Sequence, residues 1–438
     1  MADPLQLCDD VLEAVGSRAE AEVTVGVGRS ALTRFANSHI HQNVAEDEVW
    51  TRLRLCADGR LASATSTRAG LDPRALAERT LEAAGLRPVD PDWPGLAPVA
   101  PATAVDHFDP ATDQARPEER AEVVRRFVDA GGPQLSGAGF CDTDSGMVAF
   151  ANSAGQRLSG SSSRATIEGI HRTGTSDGRG WQSSSRLGDL DGGAAGTVAA
   201  RKALDGAQPV EVPPGRYEVV LEPACAADIV DFLSWYGFNA KSHAEGQSFV
   251  RLGEAQLDPA VSLVDDATDP RALGLAFDAE GTPRRRLELV RHGVCVALAH
   301  DRRTARGAGA ESTGHAVHGG ESWGPMCGNV FFQPGLGTPA DLVANVERGL
   351  LVTELWYTRI LDPKTQVVTG LTRNGTFLIE GGRVVGAVRN LRFTQSYVDA
   401  LGPGNVLGVG ADQRLAVSGS WVPSLHLASW NFTGGSQG

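Results

Sequence analysis

The sequence lacks the features that mark several large classes of protein. Aromatic residues make up 6% of its 438 residues. No apolar run reaches the roughly 18 residues that a transmembrane helix needs, and no basic segment followed by an apolar one is visible near Met1. The six cysteines are scattered and never spaced as C-x-x-C, which argues against a zinc knuckle and a disulfide framework. These absences predict a protein without a secretory signal or a membrane span, in a reducing cytoplasm.

Positive charge is also scarce. The 40 Lys and Arg residues are outnumbered by 53 Asp and Glu, which gives a net charge of -13. Nucleic acid is therefore not an expected partner, because binding phosphates requires a basic face. Glycine, by contrast, is abundant at 53 residues, which favours turns and β structure.

Turn and periodicity signals predict an α+β chain. Capped, periodic segments predict helices over residues 5–15, 73–84, 117–130, 191–204 and 222–237. Alternating segments predict strands around residues 21–27, 49–56, 60–66, 135–185 and 217–221, with hairpin turns at Asp58-Gly59, Asn374-Gly375 and Gly381-Gly382.

The best domain boundary is Val212-Pro213-Pro214-Gly215, between a helical stretch and a strand. We expect two domains. An α/β N-terminal domain over residues 1–210 contains a proline-rich surface crossing at about residues 88–110, and a β-rich domain with few helices follows over residues 211–438.

Two histidines three residues apart, His315 and His318, are a candidate metal site. Glycines flank the pair, so we expect a loop rather than a helix, and structural or solvent-exposed histidines are the favoured interpretation. Cys327 follows shortly after, which leaves a Cys/His nucleophile pair as a weaker hypothesis.

The predicted helix over residues 222–237 is the longest helix of the second half. Pro223 suits its first position, and Ile229, Val230 and Leu233 belong to an apolar stripe. The segment contains no histidine.

The chain resembles the TldD/PmbA family, peptide-processing proteins also described as modulators of DNA gyrase. No single motif carries the resemblance, which rests on the order and spacing of several. The matching segments are residues 49–67, 148–155, 217–223, 264–266, 281–283, 304–314, 353–359 and 375–382, with Gly370.

The resemblance implies a dimer that encloses a proteolytic cavity. In the TldD type, a His-Glu-x-x-x-His helix follows the strand equivalent to residues 217–221, and a late cysteine completes a zinc site. Those six positions fall here at about residues 231–236, where Asp231, Phe232 and Tyr236 replace the histidines and the glutamate, and no cysteine follows Cys327. The chain is therefore similar to the metal-free PmbA (TldE) type.

From this we predict a subunit that binds no cofactor, has no catalytic residue, and is inactive alone. Zinc is expected in a TldD-like partner, with which the chain would process small or unfolded peptides; a homodimer is the other possible assembly. Asp231, Phe232 and Tyr236 then mark a vestigial metal site. Two alternatives stay open: an independent metallopeptidase that uses His315 and His318, with Cys327 or His243, and a peptide-binding scaffold without proteolysis.

Overall fold

A computed structural model describes residues 3–435, which form three β-sheets and eleven α-helices. The predicted α+β class is confirmed. None of the helices among residues 3–435 is both long and apolar enough to cross a bilayer.

The first sheet is antiparallel throughout, with the strand order β3-β2-β1-β4-β5-β6. Its strands are β1 (Glu20–Ala36), β2 (His39–Ala57), β3 (Arg60–Ser66), β4 (Ser136–Asn152), β5 (Arg157–Arg172) and β6 (Asp177–Ser184). The predicted Asp58-Gly59 hairpin is confirmed, because both residues have positive φ and join β2 to β3.

Five helices accompany this sheet. They are α1 (Pro4–Val15), α2 (Pro73–Gly85), α3 (Pro110–Asp113), α4 (Pro117–Ala130) and α5 (Gly192–Asp205). Asp3, Asp72, Asp109 and Asp191 accept hydrogen bonds from the first turns of α1, α2, α3 and α5, and proline opens α1 to α4.

Strand alternation divides this sheet into two faces. One face packs on the helices, and in β1, β2, β4 and β5 it carries odd-numbered residues: Val23 and Ala149 pack with α1 and α2, whereas Phe35 and Cys141 pack with α4 and α5. In β3 and β6 the register places even-numbered residues on this face. The opposite face meets the second half of the chain, where a Cβ on Gly281 would overlap the ring of Phe150.

Residues 215–435 form the other two sheets. The strands are β7 (Gly215–Leu221), β8 (Leu263–Asp265), β9 (Leu287–Arg291), β10 (Val294–Cys295), β11 (Val330–Phe332), β12 (Arg348–Val352), β13 (Leu355–Asp362), β14 (Val367–Thr372), β15 (Thr376–Glu380), β16 (Arg383–Ala387), β17 (Leu391–Ser396), β18 (Val406–Val409), β19 (Arg414–Leu415), β20 (Trp421–Val422) and β21 (Leu425–Gly435). The second sheet has the order β10-β9-β8-β11-β20-β19, and the third β13-β14-β17-β21-β7-β12-β15-β16, with β18 on β21.

The helices of this half are short. They are α6 (Pro223–Phe232), α7 (Ala240–Ala244), α8 (Arg302–Ala308), α9 (Gly320–Trp323), α10 (Pro339–Ala344) and α11 (Tyr397–Ala400). α6 lies in the largest hydrophobic core, where Ile229 and Val230 pack with Leu221 of the third sheet and Leu289 of the second. The predicted boundary at residues 210–211 falls between α5 and β7, and the division into two domains stays a prediction.

One predicted hairpin is wrong. Asn374 and Gly375 do connect β14 to β15, but these strands do not pair: β14 pairs with β13 and β17, and β15 with β12 and β16. Tertiary contacts determine the conformation, since the Asn374 side chain donates to Glu354 and Thr353 N–H donates to Gly375 C=O. The Gly381-Gly382 hairpin between β15 and β16 is confirmed.

Candidate functional site

The segment to which the resemblance assigns a metal site changes its helical type. α6 ends at Phe232, and residues Leu233–Gly237 form a π-helix in which Phe238 N–H donates to Leu233 C=O, five residues back, at 2.9 Å. With about 3.6 residues per turn, an α-helix points residues five apart to different sides, and a wider π turn reduces that difference. The backbone therefore suits a motif with two ligands five residues apart.

The acidic side chains of this segment are held by hydroxyl groups. Asp228 accepts from Tyr397 Oη at 2.5 Å and from Thr358 Oγ1 at 2.8 Å, and Asp231 accepts from Ser420 Oγ at 3.3 Å. Burial raises the pKa of Asp228 to about 6 and that of Asp231 to about 7. Because the charged form is disfavoured, these groups resemble neutral hydrogen-bonded acids more than metal ligands.

The other two positions are occupied by packing side chains. Phe232 is buried, stacks on Tyr236 with ring centroids 6.0 Å apart, and meets Tyr397 edge-on at 5.7 Å. Zinc prefers imidazole nitrogen and thiolate sulfur, with carboxylate oxygen as a further ligand. Asp231 alone can supply such an atom, so Asp231, Phe232 and Tyr236 do not fit zinc.

A different group of side chains has the chemistry of a metal site. Asp265 at the end of β8, His315 in the loop after α8, and Cys327 in the loop before β11 each place one ligand atom within 4.8 Å of the others. Their exposed fractions are 1%, 0% and 5%. Within residues 3–435 this is the one group of three or more His, Cys, Asp or Glu side chains with that spacing.

Hydrogen bonds orient two of these side chains. Asp265 Oδ2 accepts from the backbone N–H groups of Gly328 and Asn329 at 2.8 and 2.9 Å. Asp265 Oδ1 lies 3.1 Å from His315 Nε2, although that contact lacks hydrogen-bond geometry and leaves Nε2 unpaired. Although burial opposes it, the adjacent His315 ring, the Arg284 guanidinium and the backbone donors lower the pKa of Asp265 to about 2.

Sequence reasoning paired His315 with the wrong neighbour. His318 does not belong to the cluster: it lies against Trp50 of β2, with ring centroids 5.4 Å apart, in a small recess that also contains Arg52 and Arg54. Partial loss of solvation and the positive charges of these two arginines lower the pKa of His318. His243 is exposed on α7 and is likewise outside the cluster.

Asp265 was missed as a partner of His315. The sequence showed it only as part of residues 264–266, a segment that matched the resemblance, and no local spacing links it to residues 50 and 62 positions later in the chain. The hypothesis of a Cys327 nucleophile has no support, because burial and the charge of Asp265 raise the pKa of the thiol well above its ordinary value.

A buried charge cluster lies beside the turn at residues 280–283, which contains the matching segment 281–283. Arg54 contacts Glu22 at 3.2 Å and Glu280 at 3.0 Å, so that it joins the first sheet to this turn. Asp278 holds the turn, accepting from the N–H groups of Glu280 and Thr282 through Oδ1 and from Ala316 N–H through Oδ2. The turn thus supports both the sheet contact and the loop that contains His315.

One cleft and two sheet edges offer larger surfaces. One cleft of about 500 Å³ is lined by Arg164, Arg284, Gly328 and Asn329, among others. The third sheet ends in β13 and β16, which expose the aromatic or aliphatic side chains Trp356, Tyr357, Leu361, Val384 and Val385.

Comparison with known proteins adds a family to this geometry. Residues 214–434 match the family model described as the PmbA/TldA metallopeptidase C-terminal domain. A protein named metalloprotease from Methanothermobacter thermautotrophicus is 26% identical over 224 residues, 48% of this chain and 47% of that protein. A metalloprotease TldD homolog from Buchnera aphidicola is 22% identical over 51% of this chain and 45% of its own. The alignments thus span about half the length of these curated relatives.

Solved structures resemble the whole described fold. TldE from Thermococcus kodakarensis aligns with a TM-score of 0.87 at 20% identity, over 98% of this chain and 99% of its own. A putative modulator of DNA gyrase from Thermotoga maritima aligns with the same TM-score and coverage at 17% identity. At these identities the likeness shows the fold alone.

Proposed function

The chain belongs to the PmbA/TldD metallopeptidase family, and on that premise we propose that it is the non-catalytic, TldE-type subunit of a zinc-dependent TldD-type protease that processes small or unfolded peptides. The observation that carries the proposal concerns α6 and the π-helix that follows it, residues 223–237, which we call the α6–π segment. It keeps a backbone suited to ligands five residues apart, while Asp231, Phe232 and Tyr236 are committed to hydroxyl bonding and aromatic packing.

The alternative of an independent metallopeptidase that uses His315 and His318 has less support. His315 is fully buried beside Asp265, and His318 lies against Trp50 of the first sheet. A peptidase metal needs an open position that both water and the peptide can reach. We further propose a cytoplasmic location, in keeping with the scattered cysteines.

The edges of the third sheet suggest how the subunit meets its partners. β13 contains a bulge at Tyr357, whose φ is 55°, and guanidinium groups lie over its aromatic rings: Arg373 over Trp356 at 4.3 Å and Arg359 over Tyr357 at 4.4 Å. A bulge opposes strand addition, whereas Trp, Tyr and Arg are common at protein interfaces. We assign β13 to the protease subunit.

β16 is the better edge for an extended peptide. Its pairing with β15 has one irregularity, at Val385, against two in the pairing of β13 with β14, and it exposes Val384 and Val385 next to each other. Addition of a peptide strand provides backbone hydrogen bonds that do not depend on peptide sequence, which suits a protein that handles unfolded chains.

The test uses the full chain and a TldD-type chain that carries His-Glu-x-x-x-His. We expect this chain alone to cleave no peptide. Mixing the two chains should give a stable complex that cleaves peptide. This cleavage should disappear when the motif glutamate of the TldD-type chain is changed to alanine. Chelator-sensitive cleavage by this chain alone would contradict the proposal.

Two variants with matched charge changes test the assignment of the edges. Leu361→Asp on β13 should prevent complex formation on size-exclusion chromatography. Val385→Asp on β16 should leave the complex intact and raise KM for an unfolded peptide. The reverse pattern would assign β16 to the protease subunit and β13 to the peptide. If neither variant had an effect, both assignments would be wrong.

A further inference from the structure

We propose that Asp265, His315 and Cys327 form a closed binding site for one transition-metal ion of the zinc type, separate from the family position on the α6–π segment. The three side chains come from three stretches of chain, and their ligand atoms lie within 4.8 Å of one another. Nitrogen, sulfur and carboxylate oxygen are the ligands that zinc takes in proteins. This inference goes beyond the proposed function and does not depend on it.

A metal ion on Nε2 of His315 requires the tautomer that carries its proton on Nδ1, and the bonds of Thr313 accommodate it. Thr313 Oγ1 accepts from His300 N–H at 2.7 Å, lies 3.1 Å from His300 C=O, and lies 2.8 Å from His315 Nδ1. A hydroxyl has one proton and two lone pairs. It can donate either to Nδ1, which leaves the proton on Nε2, or to His300 C=O, which also accepts from Thr313 N–H at 3.1 Å. In the second arrangement both lone pairs accept and Nδ1 carries the proton.

Nε2 of His315 then presents a lone pair to Asp265 Oδ1, 3.1 Å away. Two acceptors at that distance repel each other unless a cation lies between them. Nε2 makes no hydrogen bond of its own, although its ring is fully buried. A metal ion between Nε2, Oδ1 and Cys327 Sγ would satisfy all three atoms.

The surroundings of Asp265 support this geometry. Its Oδ2 is used by the N–H groups of Gly328 and Asn329, so Oδ1 alone is available as a single ligand atom. Ligands of metals are commonly oriented by such outer hydrogen bonds, and Thr313 supplies the equivalent bond for His315.

Cys327 contributes the third ligand atom, its Sγ, from a side chain that is 5% exposed. On binding, the thiol loses its proton to solvent and the sulfur–metal bond forms in its place, because a coordinated thiol is deprotonated. A proton on Nε2, giving an imidazolium–carboxylate pair, is the competing explanation.

Burial indicates a structural role for the metal. The exposed fractions of the three side chains, at most 5%, leave no room for a peptide. The ion would join the end of β8 to the loops before and after α9, and so would fix Gly328 and Asn329 in the wall of the 500 Å³ cleft.

The test is a cobalt titration of the full chain, refolded from urea in the presence and absence of Co²⁺ after removal of metal by a chelator. We expect one equivalent to bind, with a thiolate-to-cobalt charge-transfer band and a rise in Tm. Cys327→Ser should lose the band and weaken binding by at least about 100-fold. Cys295→Ser, a buried cysteine outside the cluster, and His318→Asn should bind as the wild type does.

A second variant keeps the inference testable if Cys327→Ser does not fold. Thr313→Ala retains all three ligands and should weaken cobalt binding about 10–100-fold. The inference is overturned if the refolded wild type binds no cobalt, if the band persists in Cys327→Ser, or if Thr313→Ala binds as tightly as the wild type. Peptide cleavage by the chain alone, tested separately, bears on the proposed function and not on this site.

Discussion

Two buried polar regions of this protein differ in the charge that each stabilises. At the α6–π segment, Asp228 and Asp231 receive hydrogen bonds from neutral hydroxyl groups, and burial raises the pKa of both carboxyls. In the Asp265–His315–Cys327 cluster, the neighbouring His315 and Arg284 and two backbone donors lower the pKa of Asp265 despite its burial. The first region therefore favours a protonated acid, and the second an anion.

In this protein, the backbone geometry of the family metal site and a set of side chains suited to bind a metal are found in two different regions. The first region has the helix geometry that suits the family motif and lacks the imidazoles, whereas the second has a nitrogen, a sulfur and a carboxylate oxygen in a closed setting. Family membership alone would direct a search for metal to the first region. The chemistry of the side chains directs it to the second.

The largest effect expected is from breaking the His315–Asp265 contact. In His315→Ala, prepared without metal, a fully buried imidazole is replaced by a methyl group and leaves a cavity, and such large-to-small changes in a core cost about 2–5 kcal/mol. The measurement is urea denaturation at neutral pH. His318→Ala, three residues away, should change the free energy of unfolding by about 0.5 kcal/mol or less, as surface substitutions do. Equal losses in both variants would remove the distinction between these two histidines.

The turn that supports the cluster gives the next effect. Gly281 has φ 72°, and a Cβ there would overlap the buried Phe150 ring. Gly281→Ala combines left-handed backbone strain with overpacking and should cost about 3 kcal/mol of unfolding free energy. Gly404 has a similar φ of 79° with nothing near its Cβ position, so Gly404→Ala should cost about 1 kcal/mol. The difference between the unfolding free-energy costs of Gly281→Ala and Gly404→Ala measures how tightly the turn packs against the first sheet.

Local signals in the sequence were sufficient for much of the fold. Asp72 with Pro73, and Pro117, correctly predicted helix starts because caps and first-turn prolines act within a few residues. Asn374-Gly375 was misjudged because its conformation depends on Glu354 and Thr353, which the sequence does not show as neighbours. The vestigial positions were counted along one helix and stay a prediction.

The cluster could not be found in this way. Asp265, His315 and Cys327 lie on three stretches that are far apart in sequence and meet only in the folded structure. His315 and His318 were paired because they are close in sequence, yet one is buried beside Asp265 and the other lies against Trp50. Proximity in sequence is informative on a helix or a strand, and these two residues are on neither.

Asp231→Asn tests whether the first region favours a neutral acid. Because the pKa of Asp231 is raised from 3.8 to about 7, the folded protein holds a proton that the unfolded chain releases, and this contribution to stability is lost as pH rises from about 4 to about 7. Asparagine cannot ionise, so the variant should gain about 3 kcal/mol relative to the wild type between pH 4.5 and pH 8. The measurement is urea denaturation at both pH values.

The control for Asp231→Asn has the opposite sign. The Thr365 hydroxyl lowers the pKa of the exposed Asp362, so that its contribution is present at high pH and lost on acidification. Asp362→Asn should therefore lose stability relative to the wild type as pH rises. A variant-minus-wild-type difference for Asp231→Asn that does not change with pH would show that the carboxyl is not held neutral.

The smallest effect concerns the hydroxyl that Asp228 depends on. Tyr397→Phe removes the donor at 2.5 Å and leaves Thr358 as the remaining side-chain donor. Since the tyrosine bond opposes the rise in the pKa of Asp228 that burial causes, its loss should raise that pKa above about 6 and make the variant more costly at pH 8 than at pH 5. We expect a difference of about 1 kcal/mol between the two costs in urea denaturation. Thr358→Val, which removes the weaker donor, should show the same sign and a smaller size. A cost that is equal at pH 5 and pH 8 in both variants would mean that Asp228 is already an anion at pH 5, and would erase the contrast with Asp265.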